Sequence, residues 1–245
     1  MQMIKERQPS ISKQKIGDIV SDNYHAAGIF KEHGIDFCCG GGRPLDVVCE
    51  KQGIELSAIT EALENIAWKN QGSGDNYSDW TPSFLIDYII NTHHSFVRQK
   101  TEEIPIYAAK VAQVHGERYP ENVEIFKQFA SLANELTEHL KEEEERVFPM
   151  IKELSEKREA GKVLSDEERE SLNKELEKMV DDHTGAGDLM ANIRELSGNF
   201  TPPEGACKTY QVLYRNLDGF EADLHKHVHL ENNILFKKAE QLVAV

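Results

Sequence analysis

The sequence HLKEEEERVF, residues 139–148, shares a pattern with HVHLENNILF, residues 227–236. Each stretch has a histidine, a glutamate four residues later, and a phenylalanine that follows an aliphatic residue. Residues i and i+4 lie one above the other on a helix face, so each stretch places an imidazole and a carboxylate on the same side of a helix. A repeat of this kind is what the two halves of a pseudo-twofold dinuclear metal site leave in a sequence.

The spacing of histidine and glutamate is weak evidence by itself, because the chain has ten histidines and is rich in acidic residues. The shared phenylalanine and the placement of the two stretches in alternate helices make a chance match less credible. Apolar residues at helical spacing predict four long helices. They run from Thr81-Pro82 to about His115, from Pro120 to about Lys157, from Ser165 to about Leu196, and from Pro202-Pro203 to about Leu242.

The helix boundaries carry their own signals. Ser165 and Glu168 match a capping box at the start of the third helix. Pro149 is expected to disturb the last third of the second helix, since proline lacks an amide hydrogen and crowds the preceding turn. The chain shows no strand pattern, and four long helices with short connections predict an all-α fold built on an antiparallel four-helix bundle.

The predicted metal ligands come from all four helices. The two pairs are His139 with Glu143 and His227 with Glu231, and His183 in the third helix supplies another imidazole. In the first helix, either His93 or His94 is expected to face inward, since adjacent residues point in different directions. Imidazole and carboxylate without thiolate suit iron or manganese better than structural zinc. Two carboxylates can bridge two ions, and a solvent-derived oxo or hydroxo group would complete the coordination.

Several neighbouring residues receive more ordinary interpretations. Glu135 lies one turn before His139 and is a candidate to orient that imidazole. A solvated helix face is the expectation for three other glutamates, Glu142, Glu144 and Glu145. Surface or ordinary core positions are expected for the remaining histidines, namely His25, His33, His115, His225 and His229.

A small helical domain is predicted at residues 1–68, before a polar linker at 69–80 and the bundle at 81–245. It contains the segment IDFCCGGGRPL, residues 35–45. Three glycines would let this loop adopt backbone conformations closed to other residues. If the next helix points its N-terminus at Cys38 and Cys39, their pKa falls and thiolate chemistry becomes accessible. The equally weighted alternative is a glycine turn with incidental thiols, and Cys49 and Cys207 are interpreted as structural.

Composition narrows the function. The formal net charge of −15 argues against nucleic acid or an anionic membrane as a partner and is compatible with cation binding. No apolar run approaches the roughly 20 residues of a membrane span. The N-terminal residues lack the apolar core of a signal peptide, so a cytoplasmic location is expected.

The motifs together resemble the repair-of-iron-centres family, the di-iron proteins of the ScdA and YtfE type. The cysteine-glycine segment, the haemerythrin-like order of ligands and the closing HVHLENNILF carry the resemblance, which spans residues from about 16 to 236. It implies a haemerythrin-like bundle and favours His94 over His93. The ligand set it implies is His94, His139, Glu143, His183, His227 and Glu231.

The resemblance also implies a function. It describes a homodimeric cytoplasmic stress protein that holds two non-haem iron ions and restores iron–sulfur clusters damaged by nitric oxide or peroxide, by donating iron. The partners would be damaged or apo iron–sulfur proteins, with Cys38 and Cys39 assisting. Two rival functions use the same ligands: reduction of nitric oxide at the di-iron centre, and reversible binding of oxygen or nitric oxide as a sensor.

Overall fold

The computed structural model describes residues 10–69 and 76–244, and at residues 67–69 it describes the backbone only. Much of the predicted linker falls on residues 70–75, which lie outside the described residues, as do residues 1–9 and 245. Among the described residues all regular structure is helical, apart from one isolated bridge between Lys15 and Pro44. The prediction of an all-α fold is confirmed.

The structure divides into two compact units. The first contains the described residues up to Trp80 together with His229–Ile234, a short segment of the last long helix. The second contains Thr81–Val228 and the residues from Leu235 onward.

The first unit is built from short helices around an apolar core. The core residues Ile16, Phe30, Leu45 and Ile59 are all inaccessible to solvent. The helices are Ile16–Asp22, Ala26–Glu32, Leu45–Gln52 and Leu56–Lys69, with single 3₁₀ turns at Ile11–Lys13 and Tyr77–Asp79.

Its turns follow from local sequence. Gly34 ends the second helix with φ +66°, which favours glycine. Tyr77, inside the predicted linker, is buried and packs edge-on against Trp80 at 4.8 Å between ring centroids. The chain is therefore already ordered several residues before the bundle begins.

Four long helices form the bundle, which lies in the second unit apart from His229–Ile234, and three of these helices contain a π-helical turn. The first bundle helix joins Pro82–Ile89, the π turn Ile90–His94 and Ser95–His115. The second joins Glu121–Glu142, the π turn Glu143–Val147 and Phe148–Glu159. The third is Asp166–Leu196, and the fourth joins Lys208–Leu230, the π turn Glu231–Leu235 and Phe236–Val243. These bounds confirm the predicted four-helix bundle.

The ends of the bundle helices mostly match prediction. Ser165 and Glu168 form the predicted capping box, with the serine oxygen accepting from the Glu168 amide at 3.2 Å. Pro149 lies two residues after the end of the π turn of the second helix, and that wider turn accommodates the missing amide hydrogen. The predicted start of the fourth helix was wrong. It begins at Lys208, because residues 201–207 form a turn in which Gly205 has φ +78°.

The π turns mark the region of interest. Two of them begin at Glu143 and at Glu231, and the third ends at His94. A π turn inserts one residue into an α-helix and is found mostly at functional sites, where it redirects side chains. Within the described residues, no helix has the length and apolarity needed to cross a membrane.

Candidate metal centre

All six predicted ligands are buried. His94, Glu143 and Glu231 have no exposed surface, and His183 and His227 are 1% exposed. His139, at 6%, is the most accessible of the six. Ionised carboxylates are rarely buried unless they are paired or bind a metal, so their position calls for a charged partner.

One half of the centre contains His94 and His227. Their Nε2 atoms lie 3.1 Å apart, and Glu143 Oε2 is 3.4 Å from the His94 Nε2. With Glu231, these residues offer four ligand atoms that all lie within 4.8 Å of one another.

The other half repeats this arrangement with His139 and His183. Their Nε2 atoms are 2.9 Å apart, and Glu143 Oε1 is 3.4 Å from the first and 3.8 Å from the second. Glu231 again completes the group of four. Both glutamates therefore belong to both halves, while each half has its own pair of histidines.

These spacings suit metal ions. Two imidazole nitrogens bound to one ion at about 2.1 Å and at right angles lie about 3.0 Å apart. The two measured separations, 3.1 and 2.9 Å, fall on either side of that value. The donor set and its burial suit a metal site, and each carboxylate belongs to both groups of four.

In His94 and His139, the ring nitrogen that does not face the other ligands, Nδ1, contacts a carboxylate. His94 Nδ1 lies 2.7 Å from Glu144, which also pairs with Arg98 at 2.8 Å. Burial raises the pKa of Glu144, but its bonds to Arg98 and His94 outweigh this and hold the pKa below the ordinary value. His139 Nδ1 lies 3.5 Å from Asp182. Such contacts fix which ring nitrogen faces a metal.

Two expectations about these carboxylates were wrong. Glu144 does not belong to a solvated face, because the π turn at Glu143–Val147 turns it toward His94. Glu135 does not orient His139, since its carboxylate accepts from Ser131 at 2.8 Å and Asp182 takes that place.

The repeated phenylalanines pack on the histidines of other helices. Phe148 stacks on His94 with 5.6 Å between ring centroids and 21° between planes. Phe236 stacks on His183 at 6.0 Å and 5°. Each phenylalanine thus fixes an imidazole in the opposite half from the histidine of its own motif, which explains why the full pattern occurs twice.

His93 is buried as well as His94, contrary to the expectation that only one of them faces inward. The π turn at Ile90–His94 changes the angle between successive side chains, so both reach the interior. His94 joins the metal-binding group, whereas His93 stacks on His227 with planes 4° apart and pairs with Asp223 at 3.0 Å. The sequence offered no signal for His93 beyond its neighbour.

Comparison with known proteins assigns the chain to a family. Residues 12–67 match ScdA_N, a domain of unknown function (DUF542), and residues 85–239 match the hemerythrin HHE cation binding domain. The iron-sulfur cluster repair protein ScdA of Staphylococcus haemolyticus is 32% identical over 91% of this chain and 96% of its own length. The chain belongs to the family of ScdA and YtfE iron–sulfur cluster repair proteins.

Other members of the ScdA and YtfE family align over similar lengths. The iron-sulfur cluster repair protein YtfE of Yersinia pseudotuberculosis is 30% identical over 92% of this chain and 96% of its own length. A probable iron-sulfur cluster repair protein of Haemophilus influenzae is 32% identical over 94% and 97%. The similarity therefore covers both the segment with the cysteines and the bundle.

A cleft in this ScdA/YtfE-family chain opens between the second and third bundle helices, with a volume of about 310 Å³. His139 forms part of its wall, which makes this cleft an approach from solvent to one half of the centre. Its other lining residues are mostly acidic: Glu135, Leu136, Glu138, Glu142, Lys178, Asp181, Asp182, Gly185 and Ala186.

The two predicted thiols lie in a loop of the first unit. Asp36 organises it: its Oδ1 accepts the backbone amides of Cys38 and Cys39 at 3.0 Å each, and its Oδ2 accepts that of Gly40 at 2.7 Å. Cys38 is buried and Cys39 is half-buried. The neighbouring Cys39 and burial raise the pKa of the Cys38 thiol well above its ordinary value, so the metal-free loop does not favour a thiolate at Cys38.

The role predicted for the glycines also changes. None of Gly40, Gly41 and Gly42 has a positive φ. A Cβ on Gly41 would instead lie 2.4 Å from the Phe37 carbonyl oxygen and 3.0 Å from the Gly17 Cα. Close approach of backbone, not an unusual backbone conformation, requires glycine there.

The other two cysteines differ from each other. Cys49 is buried in the first unit, consistent with a structural role. Cys207 is exposed, and its Sγ lies 3.5 Å from His115 Nε2. None of the four cysteines, all within described segments, forms a disulfide.

Proposed function

We propose that this protein holds two iron ions in the bundle and repairs damaged iron–sulfur clusters by donating iron to them. The observation that carries the proposal is the sharing of Glu143 and Glu231 by two separate pairs of buried histidines. The relatives support the proposal because they are described as iron–sulfur cluster repair proteins.

The donor set favours iron over a structural zinc ion. Each ion would receive two imidazoles and two shared carboxylates, with no thiolate. Structural zinc sites are closed, four-coordinate and usually rich in cysteine, whereas imidazole and carboxylate donors with open positions suit ferrous iron. Four protein donors in a six-coordinate shell leave room for a solvent-derived bridge and for an incoming ligand.

Iron can leave the bundle centre only if one side of the centre is accessible to solvent. His139 is the most exposed of the six residues and lies in the wall of the cleft between the second and third bundle helices. The acidic lining of that cleft and the net charge of −15 both lower the energy of a cation on its way to or from the site. These features support an exchangeable iron cargo more than a permanently held cofactor.

The recipient in this proposal is an apo or damaged iron–sulfur protein. The test is reconstitution of a purified apo-[4Fe–4S] protein under anaerobic conditions, with sulfide and a reductant present. Iron would come from the loaded protein, or from an equal amount of ferrous salt, in each case with a chelator that outcompetes free iron. We expect cluster formation from the loaded protein and little from the salt.

If the loaded protein, like the ferrous salt, formed no cluster in the presence of the chelator, that result would contradict iron donation. Sustained production of nitrous oxide from nitric oxide over many turnovers, without loss of iron, would instead identify the protein as a nitric oxide reductase. Reversible binding of oxygen or nitric oxide with iron fully retained would identify the sensor.

Glu144→Gln should weaken iron binding in the half of the centre that contains His94. Loss of a carboxylate behind a metal-bound histidine typically lowers affinity by about 10–100-fold. The matched control is Glu145→Gln, on an exposed neighbour in the same π turn. Iron titration of both variants tests this, and equal affinities would show that the contact with His94 does not support the site.

A further inference from the structure

The cysteine loop of the first unit contains a second group of metal-binding atoms, separate in composition from the group in the bundle. One ligand atom from each of Asp36, Cys38 and Cys39 lies within 4.8 Å of the others. The two Sγ atoms are 4.0 Å apart, and Cys38 Sγ is 3.3 Å from Asp36 Oδ1.

These distances resemble the edges of a tetrahedral metal site. Two thiolates bound at about 2.3 Å to one tetrahedral ion lie about 3.8 Å apart, and a thiolate and a carboxylate oxygen lie about 3.5 Å apart. The loop therefore needs only small adjustments to bind an ion through three donors.

A disulfide fits the loop less well. Cysteines joined by a disulfide usually have Cα atoms 4.4–6.8 Å apart, whereas adjacent Cα atoms across a trans peptide are about 3.8 Å apart. The described chain contains no cis peptide that would alter this relation. The pair is therefore better placed to share a metal than to bond to each other.

The loop is held in this arrangement by contacts inside the first unit. Asn233, in the helical segment that belongs to this unit, donates to the carbonyl oxygens of Phe37 and Cys38 at 3.2 and 3.1 Å. The Gly17 amide donates to the Gly41 carbonyl at 2.8 Å. Fixed backbone on both sides of the cysteines reduces the entropy that metal binding would otherwise remove.

We propose that Asp36, Cys38 and Cys39 form a second, three-donor site for a divalent ion that favours thiolates, of the Zn²⁺ or Fe²⁺ class. A fourth position stays open to solvent or an incoming ligand, because Asp36 is exposed and Cys39 only half-buried. On binding, the ion replaces the thiol proton between Cys38 and Asp36. The two thiols give up two protons to the buffer, so charge and atoms balance. This proposal does not depend on the function or the metal of the bundle.

The test is titration of the full-length, reduced, metal-free protein with Co²⁺ alone, followed by its thiolate-to-cobalt charge-transfer absorption in the near ultraviolet. The bundle group has no sulfur donor and does not contribute to this signal. We expect the absorption at saturation to correspond to one thiolate-bound cobalt ion per chain in the wild type, together with proton release. Cys38→Ser and Cys39→Ser should each reduce the cobalt affinity of the loop at least tenfold, and Cys207→Ser should leave it unchanged.

Asp36→Asn should keep the absorption, because both thiols remain, and lower the affinity at least tenfold. Circular dichroism and the binding of metal by the bundle group show whether each variant is folded. Absence of the absorption in the reduced wild type would overturn the proposal. So would its persistence in the Cys38→Ser, Cys39→Ser double variant, or its loss on Cys207→Ser.

Discussion

Glu143→Gln should weaken both halves of the bundle centre at once, although it changes only one side chain and almost none of its volume. Glu143 belongs to both groups of four, and its two oxygens lie 3.4 Å from His94 Nε2 and from His139 Nε2. A neutral amide loses the negative charge and one acceptor oxygen. Since outer partners of ligands alone change affinity by about 10–100-fold, we expect a loss beyond roughly 100-fold for the shared carboxylate.

Iron content after anaerobic loading measures the effect. Each tenfold loss of affinity also removes about 1.4 kcal/mol of the stabilisation that bound iron confers, so the difference in Tm between loaded and metal-free protein should shrink. Glu145→Gln provides the matched control, because this exposed residue of the same turn should retain wild-type iron. Retention of full iron by Glu143→Gln would disprove the shared-ligand arrangement. Selective loss from one half would show that Glu143 serves a single ion.

Phe236→Ala should lower the free energy of unfolding of the metal-free protein by about 3–5 kcal/mol. Phe236 is 2% exposed, and its removal leaves a cavity beside His183, on which its ring stacks. The freed imidazole should then lose its fixed direction. We therefore also expect iron to bind more weakly in the half that contains His139 and His183.

Denaturant unfolding of the metal-free variant measures the first effect as a lower midpoint. Phe236→Leu restores most of the volume and should cost about 1.5 kcal/mol or less. Phe84→Ala is the surface control, since Phe84 is 56% exposed and its loss should change stability by no more than about 0.5 kcal/mol. A loss for Phe236→Ala as small as that of Phe84→Ala would show that the ring does not support the centre.

The Phe236 and Phe148 contacts explain why the motif is longer than a pair of ligands. In each copy the histidine and glutamate point into the centre, and the phenylalanine holds a histidine of another helix. The sequence showed that the phenylalanines recur. Their partners, His94 and His183, belong to helices distant in sequence, so only the packed bundle identifies them.

The π turns account for two of the differences between expectation and structure, those at Glu144 and at His93. A regular helix would direct Glu144 to solvent and would allow only one of His93 and His94 to face inward. The inserted residue in each π turn brings both histidines to the interior and turns Glu144 toward His94. Hydrophobic periodicity identifies helices at 3.6 residues per turn and is insensitive to one extra residue in a turn that packing stabilises.

The sequence by itself determined the all-α fold, the four bundle helices and five of the six buried residues that the structure brings together, while the choice of His94 over His93 came from the family resemblance. It could do so because spacing along a helix is local: residues four apart share a face regardless of what lies opposite. Tertiary structure alone decided that Glu143 and Glu231 are common to both halves of the centre, that Glu144 and Asp182 contact the ring nitrogens behind it, and that Asp36 joins the two cysteines. Those relations depend on distances between side chains on different elements, or across a folded loop, which only the packed chain sets.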